Sequence, residues 1–326
     1  MSSRFGPESL KLDCDTEVTR IAGAIRQQLR QIRRKGVVLG LSGGVDSAVT
    51  AALAVRSLGA ERVFALFMPE ADSDPLSLRL GQMVAAQLGI RSTLEDIAPA
   101  LDGLGCYERR NEAVASVIPE FRPDWKFKLV LPAHQHSGFN FFTVVAQSPE
   151  GVERRARLPL DAYLAILAAT NFKQRVRKMV EYHWADRLNF AVAGTPNRLE
   201  YDQGFFVKQG DGAADLKPIA HLYKTQVYQL AEYLGVPEEI RERAPTTDTY
   251  SLPQGQDEFY FSLPYHLLDL CLFARNHGIA ASDVAEATGL TIQQVEETFR
   301  EIDVKRSTTR YQHLSPFLVE EVPDVG

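Results

Sequence analysis

One short segment near the N-terminus, residues 36–58, constrains the fold of this chain more than any other feature. An uninterrupted apolar run, Val37 to Leu41, is typical of a strand buried in a parallel sheet. The turn Ser42-Gly43-Gly44 follows, and an apolar-periodic stretch from Val45 to Leu58, closed by Gly59, predicts a helix. A glycine turn between a strand end and a helix N-terminus gathers backbone N–H groups that bind an anion.

The side chains of this turn indicate a phosphate site with a metal ion. Gly43 and Gly44 allow the backbone to approach a phosphate closely, and Ser42 and Ser47 add hydroxyl donors. Asp46 would repel a phosphate unless a divalent cation lay between them, and Mg²⁺ is the cation we expect. An ordinary strand-to-helix turn is the alternative, but all positions of Ser-Gly-Gly-Val-Asp-Ser match in the right context.

Size and composition favour a globular protein without a membrane segment. The 326 residues, 45% hydrophobic and 24% charged, allow one large domain or two small ones. No stretch approaches the ~20 apolar residues of a membrane span, and the N-terminus lacks the apolar core of a signal peptide. Cys14, Cys106 and Cys271 are too sparse for a disulfide framework or a metal pair. We therefore expect a cytoplasmic protein.

The charge of the chain does not favour a nucleic-acid partner. Its formal net charge is −6 and its pI is near 5.7, so no general attraction to phosphate backbones is expected. One segment, residues 283–300, has the appearance of a helix-turn-helix and keeps a DNA-binding module as a remote alternative. The acidic balance and the single copy argue against that alternative.

The alternation of strand and helix patterns predicts an α/β fold with a doubly wound parallel sheet and flanking helices. We expect one domain over 1–326 with a helical C-terminal part over 264–326. Strands are predicted at 37–41, 62–68, 91–94 and 189–193, and helices at 13–34, 45–58, 78–88, 164–184, 225–234, 264–277 and 292–306.

Residues 103–160 break this alternation and predict an insertion within the domain. They are rich in proline, glycine and aromatic residues, and strand-like pieces at 128–131 and 139–145 indicate a hairpin-like segment. His134 and His136 stand two residues apart in this insertion. Because no third ligand is apparent, an ordinary loop is favoured there over a metal site.

A second set of candidate site residues follows the strand at 189–193. As in the first turn, a short turn, Gly194-Thr195, follows a strand, and an acid, Glu200, lies about one helical turn beyond it. Glu200 would share a cation with Asp46; the alternative is that it is an ordinary surface acid. The irregular, glycine-rich segment 204–218 indicates a binding loop. Lys224 is the first residue of a predicted helix, where its positive charge is unfavourable next to the positive end of the helix dipole. We therefore expect that it either binds an anion or is simply solvated.

Taken together, these segments resemble the ammonia-dependent NAD synthetase family, within the N-type ATP pyrophosphatase superfamily. The most diagnostic run is Gly204-Phe-Phe-Val-Lys-Gln-Gly-Asp-Gly-Ala-Ala-Asp-Leu-Lys-Pro218. The resemblance covers, in order, residues 36–58, 171–179, 194–200, 204–228 and 245–258. It implies an adenine nucleotide alpha hydrolase-like fold and a two-step reaction. ATP adenylates the nicotinate carboxylate of deamido-NAD and releases pyrophosphate; ammonia then displaces AMP to give NAD.

The resemblance also implies roles for individual residues. Asp46 and Lys224 would be catalytic, since Mg²⁺ on Asp46 and Glu200 together with Lys224 would stabilise charge on the reacting phosphates. The ATP contacts would be Ser42, Gly43, Gly44, Asp46, Ser47, Thr195, Lys224 and Thr246. The dinucleotide would be held by Asn171, Arg175, Lys208, Asp215 and Arg310.

The same resemblance implies a homodimer with the dinucleotide site at the subunit interface. The segment before Ser42 is too short for a fused amidotransferase domain, so we expect ammonia to be free or delivered by a separate protein.

Three departures from the family pattern predict a divergent member. The family's Ser-Glu-His-Lys-Arg segment reads Ser307-Thr308-Thr309-Arg310-Tyr311 here, and arginine differs from lysine in hydrogen-bond geometry. Phe67 stands before Met68-Pro69, where the adenine pocket is expected, and residues 103–160 are long. A relative that adenylates another carboxylate and couples it to ammonia or an amine is therefore the alternative function.

Overall fold

Four parallel strands form the central sheet of the protein. A computed structural model describes residues 5–130, 142–245, 249–255, 260–261 and 263–323. The strands are β1 (Val37–Gly40), β2 (Val63–Phe67), β3 (Arg91–Leu94) and β7 (Ala191–Val192), in the order β3-β2-β1-β7. The predicted α/β class with a parallel sheet is confirmed.

Helices cover both faces of this sheet. Val37 and Leu39 of β1 face a core shared with helices α1 (Cys14–Gln31), α2 (Val45–Leu58), α3 (Pro75–Leu88) and α8 (Lys224–Tyr233). Val38 faces the opposite core, beneath the long helix α6 (Leu160–Leu188). Alternate residues of a strand point to opposite faces, so burial on both faces explains the continuous apolar run of β1.

The region predicted as a hairpin-like insertion contains a second, antiparallel sheet. Its strands are β4 (Lys126–Val130), β5 (Thr143–Gln147) and β6 (Glu153–Arg157), in the order β4-β5-β6. Phe127, Leu129 and Val144 pack onto α6 and onto helix α5 (Cys106–Ala115). The prediction missed β6, because its Glu-Arg-Arg-Ala-Arg sequence is mostly exposed and shows no buried face. His134 and His136 lie outside the described residues.

The remaining helices include a C-terminal group with its own core. Leu272, Val284 and Val295 belong to that core. The predicted helix 292–306 is helix α12 (Ile292–His313), and residues 283–300 cover most of helix α11 (Ala281–Thr288) and the start of α12. The part of the chain that the structure describes holds no helix long and apolar enough to cross a membrane. Besides the helices that pack on the central sheet, the described residues include α4 (Ala98–Gly103), α5 (Cys106–Ala115), α7 (Arg198–Gln203), α9 (Glu238–Glu242), α10 (Tyr265–His277), α11 (Ala281–Thr288) and α12 (Ile292–His313).

Candidate active site

A cavity opens where the chain changes direction at the carboxyl edge of the central sheet. From β1 the chain continues to β2 on one side, whereas β7 pairs with β1 on the other side. Loops that leave neighbouring parallel strands in opposite directions form a crevice in which α/β proteins bind ligands. The cavity above this crevice has a volume of about 690 Å³ and is lined by both loops, by α6 and by α12.

Hydroxyl groups hold the turn after β1 in shape. Ser47 Oγ donates to the carbonyl of Gly44 over 2.9 Å and accepts from the N–H of Ser42 over 3.3 Å. Gly43 has a φ of +75°, and a Cβ built there would lie 2.4 Å from the carbonyl oxygen of Ser77 in α3. Only glycine fits this position. Ser42, Gly44, Asp46 and Ser47 line the cavity, whereas Gly43 shapes the turn from behind.

Asp46, in the first turn of α2, is held by an amide and a cation. Its Oδ1 accepts from Asn197 Nδ2 over 3.0 Å, and its Oδ2 pairs with Lys224 Nζ. Lys224 is only 2% exposed. Burial works to lower the pKa of Lys224, but Asp46 and then Glu200 raise it above its usual range. Lys224 is therefore an ammonium ion within electrostatic reach of both carboxylates.

A capping box places Glu200 beside the same crevice. Asn197 Oδ1 accepts from the N–H groups of Leu199 and Glu200, and Glu200 Oε2 accepts from the N–H of Asn197 over 3.1 Å. This reciprocal arrangement fixes the first turn of α7. Asn197 was not among the site residues predicted from the sequence. Its signal was an asparagine followed three residues later by a glutamate.

Asp269 explains why a lysine stands at the start of α8. Its carboxylate accepts from the backbone N–H groups of Lys224 and Thr225, over 3.3 and 2.6 Å. Burial raises the pKa of Asp269 to about 6, although the hydrogen bonds from Thr225 act to lower it. This carboxylate on α10 caps α8 and offsets the unfavourable lysine at the positive helix end.

The carboxylates of Asp46 and Glu200 offer oxygen ligands of the kind that Mg²⁺ prefers. They come from the first turns of two helices on either side of the crevice, and both act on the charge of Lys224. No cluster of three His, Cys, Asp or Glu residues able to hold a metal occurs among the described residues. Mg²⁺ commonly takes one or two carboxylates and completes its shell with phosphates and water.

The predicted substrate residues divide into two groups. Asn171, Arg175 and Lys208 line the cavity, as does Thr195, which was predicted to contact ATP. Lys208 Nζ donates to the carbonyl of Tyr311 over 2.7 Å. Asp215 and Arg310 are exposed and do not line the cavity. The carboxylate of Asp215 accepts from the N–H of Val192 over 2.7 Å.

Lys305, Thr308 and Thr309 of α12 line the cavity instead of Arg310. Thr246 lies outside the described residues.

A buried ion pair on α6 also reaches the cavity and was missed by the sequence analysis. Lys178 Nζ donates to Glu181 Oε2 over 2.6 Å. Burial raises the pKa of Glu181, although the charge of Lys178 acts to lower it. A Cβ built at Gly40 would lie 3.2 Å from Glu181 Oε1, so the pair stands directly behind the end of β1. The sequence shows both charges but not the helix face that is buried.

Comparison with known proteins identifies the family. The model of the NAD synthase family matches residues 17–115 and 155–312, well over half of the chain. This chain belongs to the NAD synthase family. The NH(3)-dependent NAD(+) synthetase of Rhizobium meliloti (strain 1021) is 56% identical over 322 residues, which cover 98% of this chain and 96% of the relative. That of Mesorhizobium japonicum is 58% identical over 315 residues, 96% of this chain and 99% of the relative.

A solved structure agrees with the fold. The NH3-dependent NAD synthetase of Campylobacter jejuni superposes with a TM-score of 0.62 at 21% identity, covering 95% of this chain and 100% of that chain. The expectation of a divergent member is wrong, because NAD synthase relatives retain 56–58% identity over nearly the whole chain. The alternatives of another carboxylate substrate and of a DNA-binding module are not favoured.

Proposed function

We propose that this chain makes NAD from deamido-NAD, ATP and ammonia, and releases AMP and pyrophosphate. The observation that carries the proposal is the buried cation Lys224, which pairs with Asp46 and interacts electrostatically with Glu200, beside the glycine turn after β1. It occurs in a chain whose relatives are NH(3)-dependent NAD(+) synthetases.

In the adenylation step, an oxygen of the nicotinate carboxylate attacks the α-phosphorus of ATP. The bond from that phosphorus to the pyrophosphate oxygen breaks, and negative charge grows on the departing group. The N–H groups at the start of α2 and the ammonium of Lys224, which pairs with Asp46, would stabilise this charge. Mg²⁺ held by Asp46 and Glu200 would neutralise part of the phosphate charge.

In the amidation step, ammonia attacks the acyl carbon and the bond to AMP breaks, while the attacking nitrogen loses its proton. This step depends on an electrophile that is positioned and shielded from water. Asn171, Arg175 and Lys208 line the cavity that would hold the dinucleotide. Roles for Asp215, Arg310 and Thr246 stay predictions from family resemblance.

The test of this function is a product analysis with purified protein. We expect ATP, Mg²⁺, deamido-NAD and an ammonium salt to yield NAD, AMP and pyrophosphate in equal amounts, measured by chromatography. Nicotinate mononucleotide in place of deamido-NAD, and glutamine in place of ammonium, serve as comparison substrates. Absence of NAD, or a faster reaction with another carboxylate, would overturn the proposal.

The metal site has its own test, Glu200→Gln. Glutamine keeps an oxygen that accepts from the N–H of Asn197, so the cap survives while the charge is lost. We expect the Mg²⁺ concentration for half-maximal rate to rise about tenfold. Glu238→Gln, at an exposed first-turn acid of α9, is the control and should leave it unchanged. An unaltered Mg²⁺ dependence in E200Q would remove Glu200 from the metal site.

We also propose a cytoplasmic homodimer with no nucleic-acid or membrane partner, which takes up free ammonia or receives it from a separate protein. These statements rest on family resemblance and on composition. Light scattering coupled to size-exclusion chromatography tests the dimer.

A further inference from the structure

An aromatic stack stands in the wall of the cavity, away from the phosphate-binding turn. Phe142, just before β5, and Tyr163, near the start of α6, lie with ring centroids 4.4 Å apart and ring planes 11° apart. Both rings are half-buried against the core of the antiparallel sheet, and both line the cavity. Phe142 lies between the two segments that the NAD synthase model matches. Tyr163 lies within the second matched segment, so Phe142 is the member of the stack that the family model does not describe.

Helix α6 shows where the stack lies along the cavity. Lining residues occur along this helix from Tyr163 to Glu181, and Glu181 stands behind Gly40 at the end of β1. These residues are 18 positions apart, which corresponds to about 27 Å along an α-helix. Asn171 and Arg175 lie between them on the same helix. The stack and the phosphate-binding turn therefore occupy opposite ends of the α6 wall.

This separation favours the acceptor over ATP as the ligand of the stack. The triphosphate of ATP would lie at the turn after β1. Met68 approaches that turn closely, since a Cβ built at Gly40 would lie 3.0 Å from Met68 Cε, so an apolar surface for the ATP adenine is already near the turn. A dinucleotide, by contrast, carries two aromatic ends joined by a pyrophosphate. When its nicotinate end reaches the α-phosphate of ATP, its other end extends away from the turn.

We propose that the Phe142–Tyr163 stack binds the adenine ring of the acceptor dinucleotide and thereby sets the preference for a dinucleotide over a mononucleotide. The inference rests on the proposed function. Flat aromatic side chains hold nucleobases by stacking, and Tyr163 on α6 and Phe142 next to β5 offer aromatic rings at the cavity wall. Arg175 and Lys208 line the same cavity and supply positive charge for the intervening pyrophosphate.

The test is Phe142→Ala. We expect the KM for deamido-NAD to rise about tenfold, the scale of a lost base–aromatic stack. The KM for ATP and the kcat at saturation should stay within twofold of the wild type. Phe142→Tyr keeps a ring and should restore the KM. Phe142→Leu keeps apolar volume without a ring, so it should behave as Phe142→Ala and serves if the alanine variant does not fold.

A second acceptor substrate shows whether the stack binds the adenine ring rather than the nicotinate ring. Nicotinate mononucleotide lacks the adenylyl half, so its KM, or its inhibition constant if it is not turned over, should be the same in Phe142→Ala and the wild type. The structural control is Trp125→Ala, because Trp125 belongs to the same core without lining the cavity. It should lower the melting temperature without changing any KM.

The proposal is overturned if Phe142→Ala leaves the KM for deamido-NAD within twofold, or raises the constants for ATP or the mononucleotide equally. Calorimetric binding of deamido-NAD gives an independent readout. If the wild type makes no NAD, the proposed function fails, whereas a dissociation constant that Phe142→Ala still weakens would retain the stack as a dinucleotide site. An unchanged dissociation constant would end that role too.

Discussion

Asn197 donates its side-chain amide to Asp46 Oδ1 over 3.0 Å and so connects the first turns of two helices, α7 and α2, whose residues are 151 positions apart. The same side chain caps α7 through its oxygen, which accepts from the N–H groups of Leu199 and Glu200. One residue therefore orients the carboxylate of Asp46 and positions Glu200.

Two substitutions separate these roles of Asn197. Asn197→Ala removes the cap and the amide donor, and should lower the free energy of unfolding by about 1 kcal/mol. Asn197→Ser keeps a capping oxygen but loses the donor to Asp46, so its stability should stay near the wild type. Both variants should lower kcat/KM for ATP about tenfold, since a hydrogen bond to a charged group is lost. A fully active Asn197→Ser would show that the asparagine only caps the helix.

Lys224→Met should damage both stability and catalysis. It leaves the Asp46 carboxylate without its cation, and breaking a buried pair costs about 3–5 kcal/mol. Loss of a charge-stabilising donor should lower kcat about 10²–10³-fold. Denaturant unfolding and pyrophosphate release measure the two effects. Asp46→Asn combined with Lys224→Met should regain stability but not activity.

The matched control for Lys224 is Arg275→Met, which breaks the exposed pair of Arg275 with Asp303. Exposed pairs contribute about 0–1 kcal/mol, so stability and rate should hardly change. If Lys224→Met were as stable and active as this control, Lys224 would have neither role.

Gly43→Ala tests the contact between α3 and the turn after β1, where phosphate binding is proposed. The new methyl group would meet the Ser77 carbonyl oxygen at 2.4 Å, so the turn must move. We expect a lower melting temperature and a large rise in the KM for ATP. Gly89→Ala is the control, because Gly89 also has a positive φ, +64°, but nothing lies within 4 Å of a Cβ there. It should cost about 1–2 kcal/mol and leave the KM unchanged. Equal KM values in the two variants would contradict the argument.

Asp269 should make stability depend on pH. Its pKa, raised to about 6 by burial in the folded state, exceeds the ~3.9 of an unfolded aspartate. The folded protein thus holds this proton more tightly, and the resulting stabilisation is complete below about pH 4 and is lost as the pH rises through 6. Relative to Asp269→Asn, the wild type should lose about 3 kcal/mol of unfolding free energy between pH 4 and 7. Urea titrations at several pH values measure this difference. A constant difference would mean that the pKa of Asp269 is not raised.

Local patterns predicted the part of the fold that carries the glycine turn after β1. Helix α2 spans Val45–Leu58 and β3 spans Arg91–Leu94, as the sequence analysis expected. Helix α2 is apolar-periodic and ends at Gly59, so its own residues specify it. The exposed edge strand β3 carries no such pattern and was predicted from the alternation of strands and helices. The edge strand β6 was missed because it is also exposed and lies in the insertion, where no alternation of strands and helices indicates it.

Within the candidate site, the sequence by itself determined which chemical groups are present and the local frame of the first turn. A strand, two glycines and a helix start follow from neighbouring residues alone. Only the tertiary structure decided which groups meet. Asp46 pairs with Lys224 from 178 positions away, and Asp269 caps α8 from another helix. The physical reason is that such contacts follow from how helices pack across the sheet, and that packing depends on the whole core rather than on any local period.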